Sequence, residues 1–177
     1  MALSQQKFRE IVLQVLFSFD IAKADEAHML QLMSTELEVS KKNVRFALER
    51  VKKIIEKMDE IDNSIRSVST SYNFDRIHLV SKNILRIGLF ELFYDPEIPP
   101  KVAIAEAIRL SRKFSSPESA NFVNAILDHF YQKSLGKSGY SEQLAKQMEF
   151  IEEKEQKNIE LAQEHLKEKI NSKSPEE

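Results

Sequence analysis

Cysteine and tryptophan are missing from this chain of 177 residues, and glycine occurs three times, at Gly88, Gly136 and Gly139. Without cysteine there is no disulfide framework, no thiolate zinc site and no thiol nucleophile. Scattered glycines exclude a GxGxxG turn and a GxxxxGK[ST] loop, both of which need clustered glycines for close backbone approach to phosphate. No run approaches the ~20 apolar residues of a membrane span. The opening MALSQQKFRE has no continuous apolar stretch of the kind that leads a chain to secretion. A cytoplasmic protein is therefore expected. Few glycines and 5 prolines disfavour short strands with tight turns and favour long helices. The net charge of −2 gives bulk electrostatics no part in attracting nucleic acid, so any such role must rest on a local patch.

What is present is helical periodicity. Ser4 caps a first helix to about Ile21, with Phe8, Ile11, Val12, Val15, Leu16 and Phe19 on one face. Asp25 starts a short second helix through about Leu37. Ser40 starts a long third helix with the stripe Val44, Leu48, Val51, Ile55, Met58, Ile61 and Ile65. The polar STSYNF interrupts the pattern. Asp75 caps a fourth helix that must stop at Asp95-Pro96, because the residue before proline is pushed out of helical geometry. Pro100 opens a fifth helix, and Ser115-Ser116-Pro117-Glu118 is a break and a start signal for a sixth, which Gly136 ends. The expected fold is all-α: two three-helix bundles packed together, residues 1–136, with subdomains of about 1–70 and 71–136. Residues 137–177 form a charged extension with 7 lysines against 10 glutamates, net −3. Its thin stripe of Leu144, Met148, Ile151, Ile159, Ala162, Leu166 and Ile170 is read either as a solvated helix or as a face that docks on the body or on a second subunit. The last residues, NSKSPEE, are expected to be disordered.

Catalytic chemistry finds little footing. The histidines His28, His78, His129 and His165 fall in four segments with no HExxH pair, so no metal site is expected. Glu91 and Glu106 stand among apolar neighbours, and two readings are open: general acid–base work, or ion pairing between helices with Arg86 or Arg109 as partners. No nucleophile or third polar group accompanies them, and no GxSxG or SxxK is present, so an enzyme is not expected and no cofactor is implied. A basic and aromatic set remains. Lys7 and Arg9 lie off the apolar stripe of the first helix, and Arg86 is placed to point away from the inward face of the fourth. Arg112, Lys113 and Phe114 end the fifth, and Ser119, Asn121 and Phe122 begin the sixth. Cations hold phosphates, Asn and Ser read base edges, and an exposed aromatic stacks on an unpaired base. Against this, Phe122 at helical spacing also fits a core position.

The segments LRIGLFEL at 85–92, IPPKVAIAEAIRLSRKF at 98–114 and SANFVNAILD at 119–128, together with FREIVLQVLFSFD at 8–20, resemble the NusB family of bacterial transcription antitermination factors. The resemblance covers about residues 5–133. It implies pairing with NusE, a small-subunit ribosomal protein, and binding of single-stranded boxA RNA. The pair, with other Nus factors and RNA polymerase, suppresses termination on ribosomal operons. Carried over by position, the RNA-facing set is Lys7, Arg9, Arg86, Glu118, Ser119, Asn121 and Phe122. The sequence departs from the family pattern in an N-terminal arm with only two cations, in AIAEA (family AINEA) at Ala105, and in its long tail. The thin arm and acidic tail motivate the alternative of a helical protein–protein adaptor with little RNA affinity of its own. A homodimer is a further expectation drawn from the tail's stripe, and an interface over Arg9 and Phe122 would then hide the RNA site.

Overall fold

A computed structural model describes residues 3–22, 31, 34–35, 39–68, 73–137 and 140–171. Helix α1 spans Gln5–Ala22, α2 Lys41–Glu56, α3 Met58–Val68, α4 Leu79–Tyr94, α5 Pro100–Phe114, α6 Pro117–Ser134 and α7 Tyr140–Asn171. No strand occurs among the described residues, and the fold is all-α. The second helix expected at 25–37 lies almost wholly outside the described residues.

Most helix boundaries follow from local chemistry. Ser4 Oγ accepts the Lys7 amide at 3.2 Å, Ser40 Oγ accepts the Asn43 amide at 3.4 Å, and Ser116 Oγ accepts the Ser119 amide at 3.1 Å, so three orphan donors are satisfied by hydroxyl caps. Pro100 and Pro117 sit in the first turns of α5 and α6, where a missing N–H loses no hydrogen bond. Gly136, at φ 73°, ends α6 in the left-handed region that a side chain would strain.

Two boundaries differ from the sequence reading. The expected long third helix is divided at Lys57, whose backbone (φ −105°, ψ 3°) leaves helical geometry before α3 begins. Its apolar stripe nevertheless carries across the break, with Ile61 and Ile65 fully buried. Asp75 does not cap the fourth helix. Instead Asn73 Oδ1 accepts the Asp75 amide at 3.0 Å and starts a single 3₁₀ turn over Phe74–Arg76, and α4 begins only after His78. The 3₁₀ turn places Phe74 between the Arg66 guanidinium at 4.2 Å and the Lys82 ammonium at 4.3 Å from its ring centroid, which pins the connection between the halves.

Helices α4, α5 and α6 pack on one another as one bundle. α1, α2 and α3 pack together in the other half, and α1 and α3 also lie against α4. α4 is thus central: residues 83–91 are buried without interruption, and one continuous apolar core runs through both halves. Gly88 permits the approach of α6, since a Cβ there would lie 2.9 Å from Leu127 Cδ1 and 3.4 Å from Ala107 Cβ. α7 packs on α6 and adds Leu144 and Met148 to the core. Beyond them Ile159, Leu161 and Leu166 are exposed, so the tail helix docks at its beginning and is solvated further on.

His129 in α6 is buried, packs edge-on against Phe130 and has no hydrogen-bond partner at Nδ1. Burial pushes its imidazole below the ordinary range, Lys133 adds to the shift, and Asp128 opposes it. The unfolded chain therefore takes up a proton near pH ~6.5 that the folded chain refuses, so this contribution to stability is complete above that pH and is lost below it. Urea unfolding at pH 7.5 and 5.5 is expected to give a lower midpoint at the acidic pH, and His129→Leu to shrink the difference.

Candidate nucleic-acid interface

The seven residues expected to face RNA separate into two groups. Lys7 in the first turn of α1 and Asn121 in the first turns of α6 are exposed, and Glu118 is half-buried beside Asn121. Arg9, Arg86, Ser119 and Phe122 are buried.

The outward placement expected for Arg86 is corrected. α4 is packed on all sides, so a guanidinium leaving it meets protein wherever it points. Its Nε and Nη2 donate to the two carboxylate oxygens of Asp62 at 2.9 and 2.7 Å. Its Nη1 donates to Asp20 at 3.1 Å and to Asn83 Oδ1 at 2.9 Å. One side chain thereby ties α1 and α3 to α4, and the fork geometry of arginine suits it to that task. Burial alone would weaken its charge. The Asp62 and Asp20 carboxylates outweigh burial and hold the guanidinium charged.

Arg9 is likewise inside. Its Nε donates to Glu91 at 2.8 Å, and its Nη1 lies 3.6 Å from Glu106. From there the pairing continues outward. Glu106 accepts from Arg109 at 3.1 Å, Arg109 donates to Glu10 at 2.7 Å, and Glu10 accepts from Lys113 at 2.9 Å. Six alternating charges thus form a ladder between α1, α4 and α5. Its inner end, Glu91, is buried, and its outer end, the Lys113 side chain, is 52% exposed. Burial raises the Glu91 carboxyl above the usual carboxylate range, against the opposing pull of Arg9. Glu10 goes the other way: burial would raise it, but its hydrogen bonds and proximity to Lys113 and Arg109 bring it lower. The ion-pair reading of Glu91 and Glu106 holds, with Arg9 and Arg109 as the partners.

Phe122 is 4% exposed and belongs to the core, so its ring has no open face for a base. Ser119 is buried in the cap of α6, its hydroxyl 3.3 Å from that of Ser116. What remains exposed is Lys7 in the first turn of α1, Arg112 and Lys113 at the end of α5, and Asn121 at the start of α6, with Glu118 half-buried; the Glu10–Lys113 pair and the short α5–α6 connection bring these three helix ends together as a strip. Gln6, also exposed, joins α1 to α5 beside it, through Glu106 at 3.5 Å and through its carbonyl, which accepts from Arg109 at 3.1 Å. The role of Glu10 as the carboxylate shared by Arg109 and Lys113 was not read from the sequence. The only signal for it is its place one residue beyond Arg9, on the α1 flank that meets α5. No cluster of His, Asp or Glu able to hold a metal occurs among the described residues, and no described helix is long and apolar enough to cross a membrane.

The class defined by these features is a two-bundle helical domain that offers a polar and cationic strip at its helix ends and ties its halves together with buried arginines. The NusB family model matches residues 6–132, which takes in every element from α1 to most of α6. The transcription antitermination protein NusB of Chlamydia pneumoniae is 44% identical over 138 residues, covering 77% of this chain and 86% of that protein. That of Myxococcus xanthus is 40% identical over 124 residues, covering 68% and 89%. The chain belongs to the NusB family. Among solved structures, T. maritima NusB superposes with a TM-score of 0.62 at 27% identity, covering 73% of this chain and 91% of that one. NusB in the complex of antitermination factors NusB and NusE with dsRNA has the same fold, with a TM-score of 0.62 at 22% identity over 73% and 96% of the two chains.

Proposed function

We propose that the chain is an RNA-binding transcription antitermination factor that pairs with a NusE-type partner and engages boxA-like single-stranded RNA, in the cytoplasm and without catalysing a reaction. The observation that carries this reading is the family match over residues 6–132, a span that includes all the residues of the exposed strip. Within the strip, Lys7 and Arg112 supply charge for phosphates, Asn121 offers an amide to a base edge, and Glu118 limits affinity by repulsion or accepts from a base amino group. Arg9, Arg86, Ser119 and Phe122 act from within, by fixing where α1, α5 and α6 present those groups.

Most cations near the strip already hold carboxylates, which favours weak binding by the isolated chain and tighter binding in the pair. Fluorescence anisotropy with boxA-like and scrambled RNA, with and without NusE, tests this. The expected result is preference for the boxA-like strand, strongest with NusE, and a log–log salt slope of about −2 to −3 from three or four phosphate contacts. Lys7→Ala should weaken binding and flatten that slope by about 0.7. No preference over scrambled RNA in either condition overturns the reading and leaves the protein–protein adaptor.

A further inference from the structure

The first turn of α1 has two flanks. Arg9 and Glu10 turn toward α4 and α5 and build the ladder described above. Gln5 and Phe8 instead face α2 across an open groove of about 630 Å³, whose far wall carries Lys42, Asn43, Phe46 and Lys53. This wall is unlike the rest of α2. The helix buries Val44, Ala47, Leu48, Val51 and Ile54, and Phe46 stands off that stripe with 48% of its surface exposed. Lys42 Nζ lies 5.7 Å from its ring centroid, and Lys53 is exposed with no ion pair among the described residues. α2 carries six basic residues against two acidic ones. Glu49 shares the wall with the lysines, and Arg50, also in it, is held by Asp95 and lies over the Phe90 ring.

Stability does not account for this arrangement. An exposed ring contributes little burial, and Lys41, Lys42 and Arg45, at spacings of three and four, repel one another along the helix. A ligand that brings both a flat face and negative charge does account for it. The geometry points to a stacking subsite for single-stranded RNA. Phe46 takes the face of an unpaired base, Lys42 and Lys53 hold the flanking phosphates, and the amides of Gln5 and Asn43 reach the base edge. The groove meets the Lys7 strip at the first turn of α1, so one strand crosses that turn and touches both flanks. This rests on the RNA-binding reading above and extends it to a second surface.

The test uses the full chain with saturating NusE and a boxA-like RNA extended at both ends. Phe46→Ala is expected to weaken binding about fivefold or more, the loss of one base stack, without changing the salt slope. Phe46→Tyr keeps a stacking ring and should bind like the wild type. The double variant Lys42→Ala, Lys53→Ala should flatten the log–log salt slope by about 1.4. Because both lysines are exposed, that variant carries the test if Phe46→Ala proves unfolded by thermal denaturation. Wild-type binding that persists undiminished in the lysine variant, while Lys7→Ala weakens it, overturns the groove and leaves the strip. Variants that lose affinity for NusE in the absence of RNA, but not for RNA at saturating NusE, make the groove a protein dock and overturn the proposal. A wild type that binds no RNA overturns the functional reading and this one with it.

Discussion

Replacing Arg86 by alanine is expected to lower the unfolding free energy by about 3–5 kcal/mol, the range for a buried charge pair that loses one partner. The reason is asymmetry. Asp62 and Asp20 would remain, largely sheltered, with no cation to meet them, and Asn83 would lose the donor to its carbonyl. Against a typical total of about 5–15 kcal/mol, such a loss is about a fifth of the fold's stability at the least. Urea unfolding measures it directly. Arg86→Lys should recover only part, since an ammonium cannot give two parallel hydrogen bonds to Asp62 and also reach Asp20. Exchanging Arg86, Asp62 and Asp20 together for apolar residues of similar volume should recover more than either, because no charge is then stranded. Stability equal to the wild type in Arg86→Ala, combined with a loss of RNA binding, would mean that the guanidinium serves RNA and not the junction of the halves.

Phe122→Ala carries the second large effect. The ring is almost wholly enclosed, so truncation removes its transfer free energy and leaves a cavity, together about 3–5 kcal/mol. The same urea series reads it. Weaker RNA binding is also expected, but only in step with the loss of folded protein, so affinity corrected for the folded fraction should stay near the wild-type value. A normal unfolding midpoint with a defect confined to RNA would instead show that the ring leaves the core to stack on a base.

These two residues also show where sequence reasoning stops. Ser4, Ser40, Ser116, Pro100, Asp95-Pro96 and Gly136 act through bonds within a few residues of themselves, so their effects are written locally. Arg86 and Arg9 are different. Spacing gives the angle of a side chain relative to its own helix's apolar stripe, and by that measure both point outward. It does not say how many neighbours the helix has. A signal did exist: LRIGLFEL is apolar almost all round, which is the pattern of an enclosed helix, and charges within an enclosed helix must find partners. By that pattern Arg86 needs a buried partner just as Glu91 does, and the partners, Asp62 and Arg9, come from other helices. Phe46 is illegible for the opposite reason. It lies off the stripe of α2 and carries no motif, and its half-exposed place beside a groove is visible only in the fold. The division at Lys57 was invisible because the apolar pattern passes through it unchanged.

The ladder from Glu91 to Lys113 also sets what a phosphate would gain by reaching its outer end. Each phosphate that meets a cation gives up the metal cations gathered around it, whichever side chain it meets. Lys113 differs from a lysine that faces only water in what must be undone first, because its ammonium already lies 2.9 Å from the Glu10 carboxylate. A phosphate there must displace or share that partner, and the carboxylate stays tethered close by, held to Arg109 at 2.7 Å. An incoming strand would therefore draw less free energy from Lys113 than from a cation with no carboxylate beside it.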